Sequence, residues 1–324
     1  MQAVVCKEYG PPEKLVIENI DLPSPKNNEV RIRVEACGVN FPDTLIIQNK
    51  YQIQPQLPFS PGGEISGVID AKGKLVKGFD VGDQVIAIMP YGGFAEYVVA
   101  PETALLRTPI NMNGITAAGF AMTYGTSMHA LKQRANLQKD ETLLVLGAGG
   151  GVGLAAVQIG KAIGAKVIAG ASTNQKIDAA LNSGADEIIN YSQDDLRERI
   201  NTFTLGKGID VVFDAAGGPL FEKALRSISW NGRVLVIGFA SGDIPKISMN
   251  LPLLKGCSIV GVFWGAFRQK QINDDNKNFD ELFELYKEDK IKPIVSKEFS
   301  LKNVSDALNT LLNRQVIGKI VLKP

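Results

Sequence analysis

Residues 143–153 read LLVLGAGGGVG, and this stretch decides the fold. Leu143–Leu146 is a short apolar run, the pattern of a buried strand. Glycines stand at 147, 149, 150, 151 and 153, and LAAVQIGKAIGA then places apolar residues at helical spacing. Strand, glycine turn and helix, in that order, are the context in which a glycine pattern signals a dinucleotide site. Glycine lets backbone approach a pyrophosphate, and the helix start offers unpaired N–H groups at a positive dipole end. The strict G-x-G-x-x-G spacing is not met. Its first glycine would fall at Ala148, with Gly150 and Gly153 following, whereas G-x-x-G-x-x-G fits at 147, 150 and 153. Ala148, Gly150, Gly151, Val152 and Gly153 form the expected cradle, and a glycine turn without a ligand is the competing reading.

The next strand sharpens the expectation. Ala165–Gly170 reads AKVIAG and is followed by ASTNQK. In an NAD site a carboxylate ends this strand and accepts from the ribose 2′-OH. No carboxylate lies between Lys166 and Lys176. Ser172 and Lys176 offer a hydroxyl and an ammonium, which suit a 2′-phosphate. The cofactor read from these residues is therefore NADPH. The alternative is that Lys176 only decorates the following helix.

Composition narrows the class. The chain has 324 residues, enough for two domains, with 45% apolar and 21% charged residues. Its 35 Lys and Arg against 34 Asp and Glu leave a net charge of +1, which argues against a broad nucleic-acid surface. No apolar run approaches a membrane span, and MQAVVCKEYG does not read as a secretory signal. Cys6, Cys37 and Cys257 lie far apart, form no zinc-ligand spacing and fit a reducing, cytoplasmic setting.

The first third reads as β- and loop-rich, with strands expected at 30–34, 65–69, 83–88 and 94–99. From 119 the rhythm changes. A helix over 117–134 leads to strands at 143–146, 166–169, 187–190, 210–214, 233–238 and 258–262, with helices between them. That alternation predicts a doubly wound parallel sheet. The tail holds helices at 279–287 and 304–313 and a strand at 319–322. The tail strand is expected to pair with the first domain, which makes the nucleotide domain an insertion.

Six segments, in order, carry a resemblance. They are ACGVNFPDTL (36–45), PFSPGGEISGVI (58–69), VGDQV (81–85), GGFAEY (92–97), GAGGGVG (147–153) and GADEIINY (184–191). Over nearly its whole length the chain resembles the medium-chain dehydrogenase/reductase superfamily, and within it the zinc-free quinone oxidoreductases related to ζ-crystallin. The resemblance implies an α/β fold: a Rossmann-type sheet (119–265) inserted into a β-rich GroES-like catalytic domain (1–118 plus 266–324). Zinc-dependent relatives carry Cys where this chain has Asn40, and His where it has Gly63, so no metal is expected. The resemblance places Asn40 beside substrate or nicotinamide, where an amide can orient a carbonyl, and Tyr51 near the substrate mouth. Leu45 departs from a tyrosine found in some relatives.

The same resemblance carries cofactor contacts to Thr123, Tyr191, Gly238, Phe239, Ser241, Phe263 and Trp264, the last two through backbone. It also sets Lys319 near the cofactor phosphates, with a surface lysine as the alternative. His129 and Cys37 are read as structural.

The expected activity is NADPH-dependent transfer of hydride, or of single electrons, to quinones or related conjugated carbonyls. Two alternatives stay open. One is an enoyl or acryloyl thioester or alkenal reductase, with Arg268 and Lys270 as a basic patch for a CoA substrate. The other is a non-catalytic, crystallin-like NADPH-binding or RNA-binding protein. A homodimer is expected through the apolar edge segment 258–264, since an open edge invites association.

Overall fold

The structure, a computed structural model, describes residues 1–324. The chain divides into two compact units: Met1–Met122 with Pro293–Pro324, and Thr123–Lys292. The boundaries thus lie at 122/123 and 292/293, beyond the 118/119 and 265/266 read from sequence. The second moves because helices Trp264–Lys270 and Ile272–Lys287 pack inside the second unit. There the Trp264 indole covers Gly125 and donates to Asp275 Oδ1 at 2.7 Å, while Gln133 and Asn278 exchange hydrogen bonds at 2.8 and 3.1 Å.

In chain order, unit 1 supplies β1 (Gln2–Val5), β2 (Val16–Asn19), β3 (Glu29–Gly38), β4 (Glu64–Lys72), β5 (Gln84–Ile88), β6 (Tyr97–Pro101) and β7 (Leu105–Arg107). Unit 2 supplies β8 (Thr142–Leu146), β9 (Lys166–Ala171), β10 (Glu187–Asn190), β11 (Ile209–Asp214), β12 (Ile228–Val236) and β13 (Ser258–Gly261). The chain then returns to unit 1 with β14 (Val295–Ser300) and β15 (Lys319–Lys323).

Unit 1 is built on a seven-stranded sheet in the order β14-β15-β3-β4-β5-β7, with β6 also paired to β3. In β3, Val30, Ile32 and Val34 alternate inward and pack with Ile65, Ile69 and Val85. Period-two alternation with one face on a core is what an antiparallel sheet requires. The expected tail strand is β15, and it pairs antiparallel with β3. Its parallel neighbour β14 was not read from sequence, because VSKEFS is mostly exposed and carries little apolar pattern.

Unit 2 holds six parallel strands in the order β10-β9-β8-β11-β12-β13. Counted within the unit this is 3-2-1-4-5-6, the doubly wound dinucleotide order, whose switch point lies between β8 and β11. Leu143, Leu144, Val145 and Leu146 are buried on both faces, as an all-parallel strand must be. The helix expected over 117–134 is three pieces: Gly114–Ala118, Ala121–Met128 and a π-turn over His129–Arg134. No helix is long and apolar enough to cross a membrane.

Candidate functional site

In unit 2 the glycine turn caps β8 at its carboxyl end. Gly147 takes φ +78°, and its N–H and that of Ala148 donate to Gly170 O on β9 at 3.1 and 2.9 Å. Gly150 is extended and caps the helix Gly151–Ile163. A Cβ at Gly153 would collide with Gly147 O, so this helix can start this close to the strand only with glycine there. Ser127 Oγ donates to Val152 O at 2.8 Å and ties the turn to the helix Ala121–Met128, which also buries Thr123. The first N–H groups of the helix Gly151–Ile163 lack intrahelical partners, as at any helix start.

Ser172 follows the end of β9, and its carbonyl accepts from Ser192 Oγ at 3.0 Å. A Cβ at Gly149 would run into the aliphatic stem of Lys176, so that side chain lies across the glycine turn. Tyr191 follows β10, its N–H donating to Ala171 O at 3.1 Å, with its ring beside Gly170. The structure therefore gathers the turn, Lys176 and Tyr191 around the ends of β8 and β9.

A second group sits at the ends of β11 and β12. Ala240 N and Ser241 N donate to Ala215 O and Ala216 O at 3.1 and 2.8 Å, which sets Gly238, Phe239 and Ser241 beside the Gly217–Gly218 turn. Asp214, unread in the sequence, holds that turn by accepting from Ala216 N and Gly217 N at 2.8 and 2.9 Å. Burial pushes its carboxyl above the usual range despite those two bonds. Phe263 is exposed, whereas the Trp264 side chain is buried in packing against Gly125 and Asp275. Arg268, read as part of a basic patch, is buried and paired to Asp275 at 2.6 Å, so it offers no surface charge.

Unit 1 holds a different construction. Gly38 on β3 pairs with Glu64 on β4, and Val321 on β15 pairs with Gly38. Counting two residues outward in that antiparallel register brings Lys319 to Asn40. Lys319 Nζ donates to Asn40 Oδ1 at 2.6 Å, Val39 O at 2.9 Å and Glu64 Oε2 at 3.2 Å. Asn40 Nδ2 donates to Glu64 Oε2 at 2.9 Å and Gly38 O at 3.2 Å. Glu64 Oε1 accepts from Met122 N at 2.8 Å. Glu64 has no exposed surface and Lys319 keeps 6% of its own. A Cβ at Gly38 would meet Ala118 O and the Glu64 carboxylate, so glycine leaves the space this cluster fills.

Two sequence expectations change here. Lys319 is neither on the surface nor turned to a phosphate, because its three N–H donors already face protein oxygens. Asn40 does not present its amide to a substrate carbonyl, because both Nδ2 hydrogens and Oδ1 are engaged inside unit 1. Asp43, the third position of the helix Phe41–Ile46, accepts from Asn40 N at 2.7 Å. Burial raises its carboxyl to about 7, against backbone bonds and the Lys319 charge that lower it. Tyr51 packs against the same core, half-buried, and burial with the nearby Asp43 charge raises its hydroxyl. Burial holds the Cys37 thiol well above its ordinary value, which is an inert state. Glu64 and Asp43 were legible only as carboxylates standing in otherwise apolar segments.

Residues 26–110 match the alcohol dehydrogenase GroES-like domain, and residues 151–284 match the zinc-binding dehydrogenase domain. The chain is 40% identical over 328 residues to the quinone oxidoreductase-like protein 2 homolog of Nematostella vectensis, spanning 99% of this chain and 88% of that protein. It is 32% identical over 325 residues to the quinone oxidoreductase of Homo sapiens, spanning 99% and 97%. The crystal structure of Escherichia coli quinone oxidoreductase complexed with NADPH shares its fold at a TM-score of 0.93, with 28% identity and 100% of both chains covered. Zinc, named by one matched domain, does not fit the residues here. Position 63 has no side chain, and the Asn40 amide oxygen already accepts from an ammonium. No group of three or more His, Cys, Asp or Glu side chains is arranged to hold a metal ion, and a catalytic zinc takes about three protein ligands.

Proposed function

This chain belongs to the zinc-free quinone oxidoreductase branch of the medium-chain dehydrogenase/reductase superfamily, and on that premise we propose that it is an NADPH-dependent quinone reductase. One observation carries the cofactor choice. The Lys176 stem crosses the glycine turn, and no carboxylate stands between Lys166 and Lys176 to repel a 2′-phosphate. The helix start at Gly151 and the Gly147–Gly153 backbone would hold the pyrophosphate, with Lys176, Ser172 and Tyr191 around the adenosine phosphate. Thr123, Gly238, Phe239, Ser241 and the backbone at 263–264 remain the proposed contacts to the rest of the cofactor. When bound, NADPH supplies a hydride, and the protein's part is alignment and exclusion of water.

Quinones are favoured over enoyl thioesters by the unit 1 cluster. Ene reduction asks for a donor to an oxyanion and for a proton source. The Asn40 amide has no N–H left for the first task, and Arg268 is buried in an ion pair rather than set to meet a CoA phosphate. The test is NADPH oxidation by the purified chain with 1,4-benzoquinone, phenanthrenequinone, an alkenal and crotonyl-CoA, with NADH as parallel donor. The expected result is the highest kcat/KM for a quinone with NADPH. A preference for the thioester moves the assignment to ene reduction. NADPH binding without turnover on any acceptor favours the non-catalytic reading.

A homodimer and a cytoplasmic setting complete the proposal. Trp230, Met249, Leu253 and Leu254 are each more than two-thirds exposed, and they gather about β12, the helix Asn250–Lys255 and the edge strand β13. Apolar side chains grouped at a sheet edge mark an association surface. Sedimentation showing only monomer at micromolar protein would reject the dimer. The three cysteines are free thiols, which suits a reducing compartment.

A further inference from the structure

We propose that Lys319 is a positioning residue: a covalently tethered ammonium that holds Asn40 and Glu64 in place inside unit 1. The inference rests on the quinone reductase reading only for its kinetic arm.

The donor set fits a monovalent nitrogen cation. Three oxygens surround Nζ at 2.6, 2.9 and 3.2 Å: an amide, a backbone carbonyl and one carboxylate oxygen. These are hydrogen-bond distances, and an ammonium has three N–H groups to fill them. The charges also close, one ammonium against the Glu64 carboxylate. Zinc favours thiolate, imidazole and carboxylate ligands, and of these only a carboxylate oxygen contacts Nζ, the nearby Cys37 thiol donating instead to Glu64 O.

The ammonium fixes more than a salt bridge. Asn40 has one amide, and its orientation is set from both sides: Oδ1 by Lys319, and Nδ2 by Glu64 and Gly38 O. Asn40 also caps the helix Phe41–Ile46, so its position sets where that helix begins. Glu64 in turn receives Met122 N, at the start of the helix Ala121–Met128. Lys319 therefore fastens β15, the end of β3, the start of β4 and two helix starts to one buried charge pair. Removing one partner of such a pair leaves the other charged and without its counter-ion, the costly case for a buried ion.

The test uses the full chain with Lys319→Ala, Lys319→Met and Lys319→Arg. Each is measured for thermal midpoint, NADPH affinity and quinone turnover, with millimolar ethylammonium or propylammonium chloride against sodium chloride at equal ionic strength. The expected result for Lys319→Ala is a lowered midpoint, because the buried Glu64 carboxylate loses its counter-ion, and a kcat down by about tenfold as the two helix starts that the cluster holds shift. NADPH affinity, carried by unit 2, stays within about twofold, because its proposed binding groups are elsewhere. Alkylammonium restores both midpoint and kcat saturably, and sodium does not. Lys319→Met fills the space of the lysine stem with methylenes and gains nothing from alkylammonium, while Lys319→Arg keeps part of the function. Wild-type midpoint and kcat in Lys319→Met, or equal restoration of Lys319→Ala by sodium, overturns the proposal. If Lys319→Ala fails to fold, the Met and Arg variants decide by the same readouts. If the wild-type chain turns over no quinone, the reductase reading fails, and the midpoint with and without alkylammonium still decides the role of Lys319.

Discussion

The glycine turn of unit 2 and the Lys319 cluster of unit 1 are built by opposite means. The turn is made of backbone from consecutive residues, in which Gly147 answers a local question of φ and Gly153 one of close approach. The cluster is made of side chains that lie 24, 255 and 279 positions apart along the chain. Sequence alone can pose the first, because neighbours in the chain are neighbours in space. It cannot pose the second, because strand register brings Lys319 to Asn40, and register appears only when β15, β3 and β4 are aligned. The proposed hold on a phosphate falls to the N–H groups of the helix start after the turn, whereas the cluster satisfies its own charges internally.

The largest expected effect falls on the backbone site. Gly153→Val should abolish NADPH binding, raising Kd by more than about a hundredfold, since its Cβ would drive the helix start away from Gly147 O. Gly150→Ala is the control. Its Cβ would lie 3.6 Å from Gly147 O, an ordinary contact, and Gly150 has φ −86°, which alanine adopts freely. The control should cost less than about tenfold, for want of strain. Fluorescence titration with NADPH, alongside thermal melts, reads both. Wild-type affinity in Gly153→Val means that the cofactor does not use this turn.

Breaking the comparison from the other side needs the cluster's titratable member. Asp43 is buried among Glu64, Lys319, Cys37 and Tyr51, and its carboxyl sits at about 7 against an ordinary 3.8. The native chain therefore keeps this proton over a window in which the unfolded chain has lost it. The stability it contributes is complete below about pH 4 and is lost as pH rises toward 7, a swing on the order of 4 kcal/mol at most. Asp43→Asn keeps an oxygen for Asn40 N and removes the titration. The variant should thus gain on wild type at pH 8 relative to pH 5 in urea melts. Parallel pH dependence in the two proteins would show that Asp43 stays ionised when folded.

How far the sequence could be read follows the same division. The apolar run 143–146 and the helical spacing after it predict β8 and its helix to within a residue, because propensity, pattern and turn chemistry agree there. The helix expected over 117–134 breaks at Gly119–Phe120 and ends in a π-turn, which no periodicity signals. Trp264 stands just past the strand expected at 258–262, and it opens a helix whose reason is tertiary: an indole seated on Gly125 and bonded to Asp275. Lys319 opens the strand segment KIVL, where an exposed lysine is the ordinary outcome. Its burial depends on Glu64, and nothing in either segment names the other.

Lys176 gives the finest test, because it sets a side chain upon the backbone-built site. Its stem lies across Gly149 and forms no part of the backbone cradle, so truncation should spare the cradle itself. Lys176→Ala should raise Kd for NADPH by about tenfold, the scale of one charge-assisted contact, and leave NADH within about twofold. The side chain is only half-buried, so the NADPH loss should shrink as salt rises. Equal weakening of both cofactors would place the ammonium on the pyrophosphate instead, and selectivity for the 2′-phosphate would then fall to Ser172 and Tyr191. A loss confined to NADPH would mean that the backbone of unit 2 binds any dinucleotide while a single ammonium chooses between them.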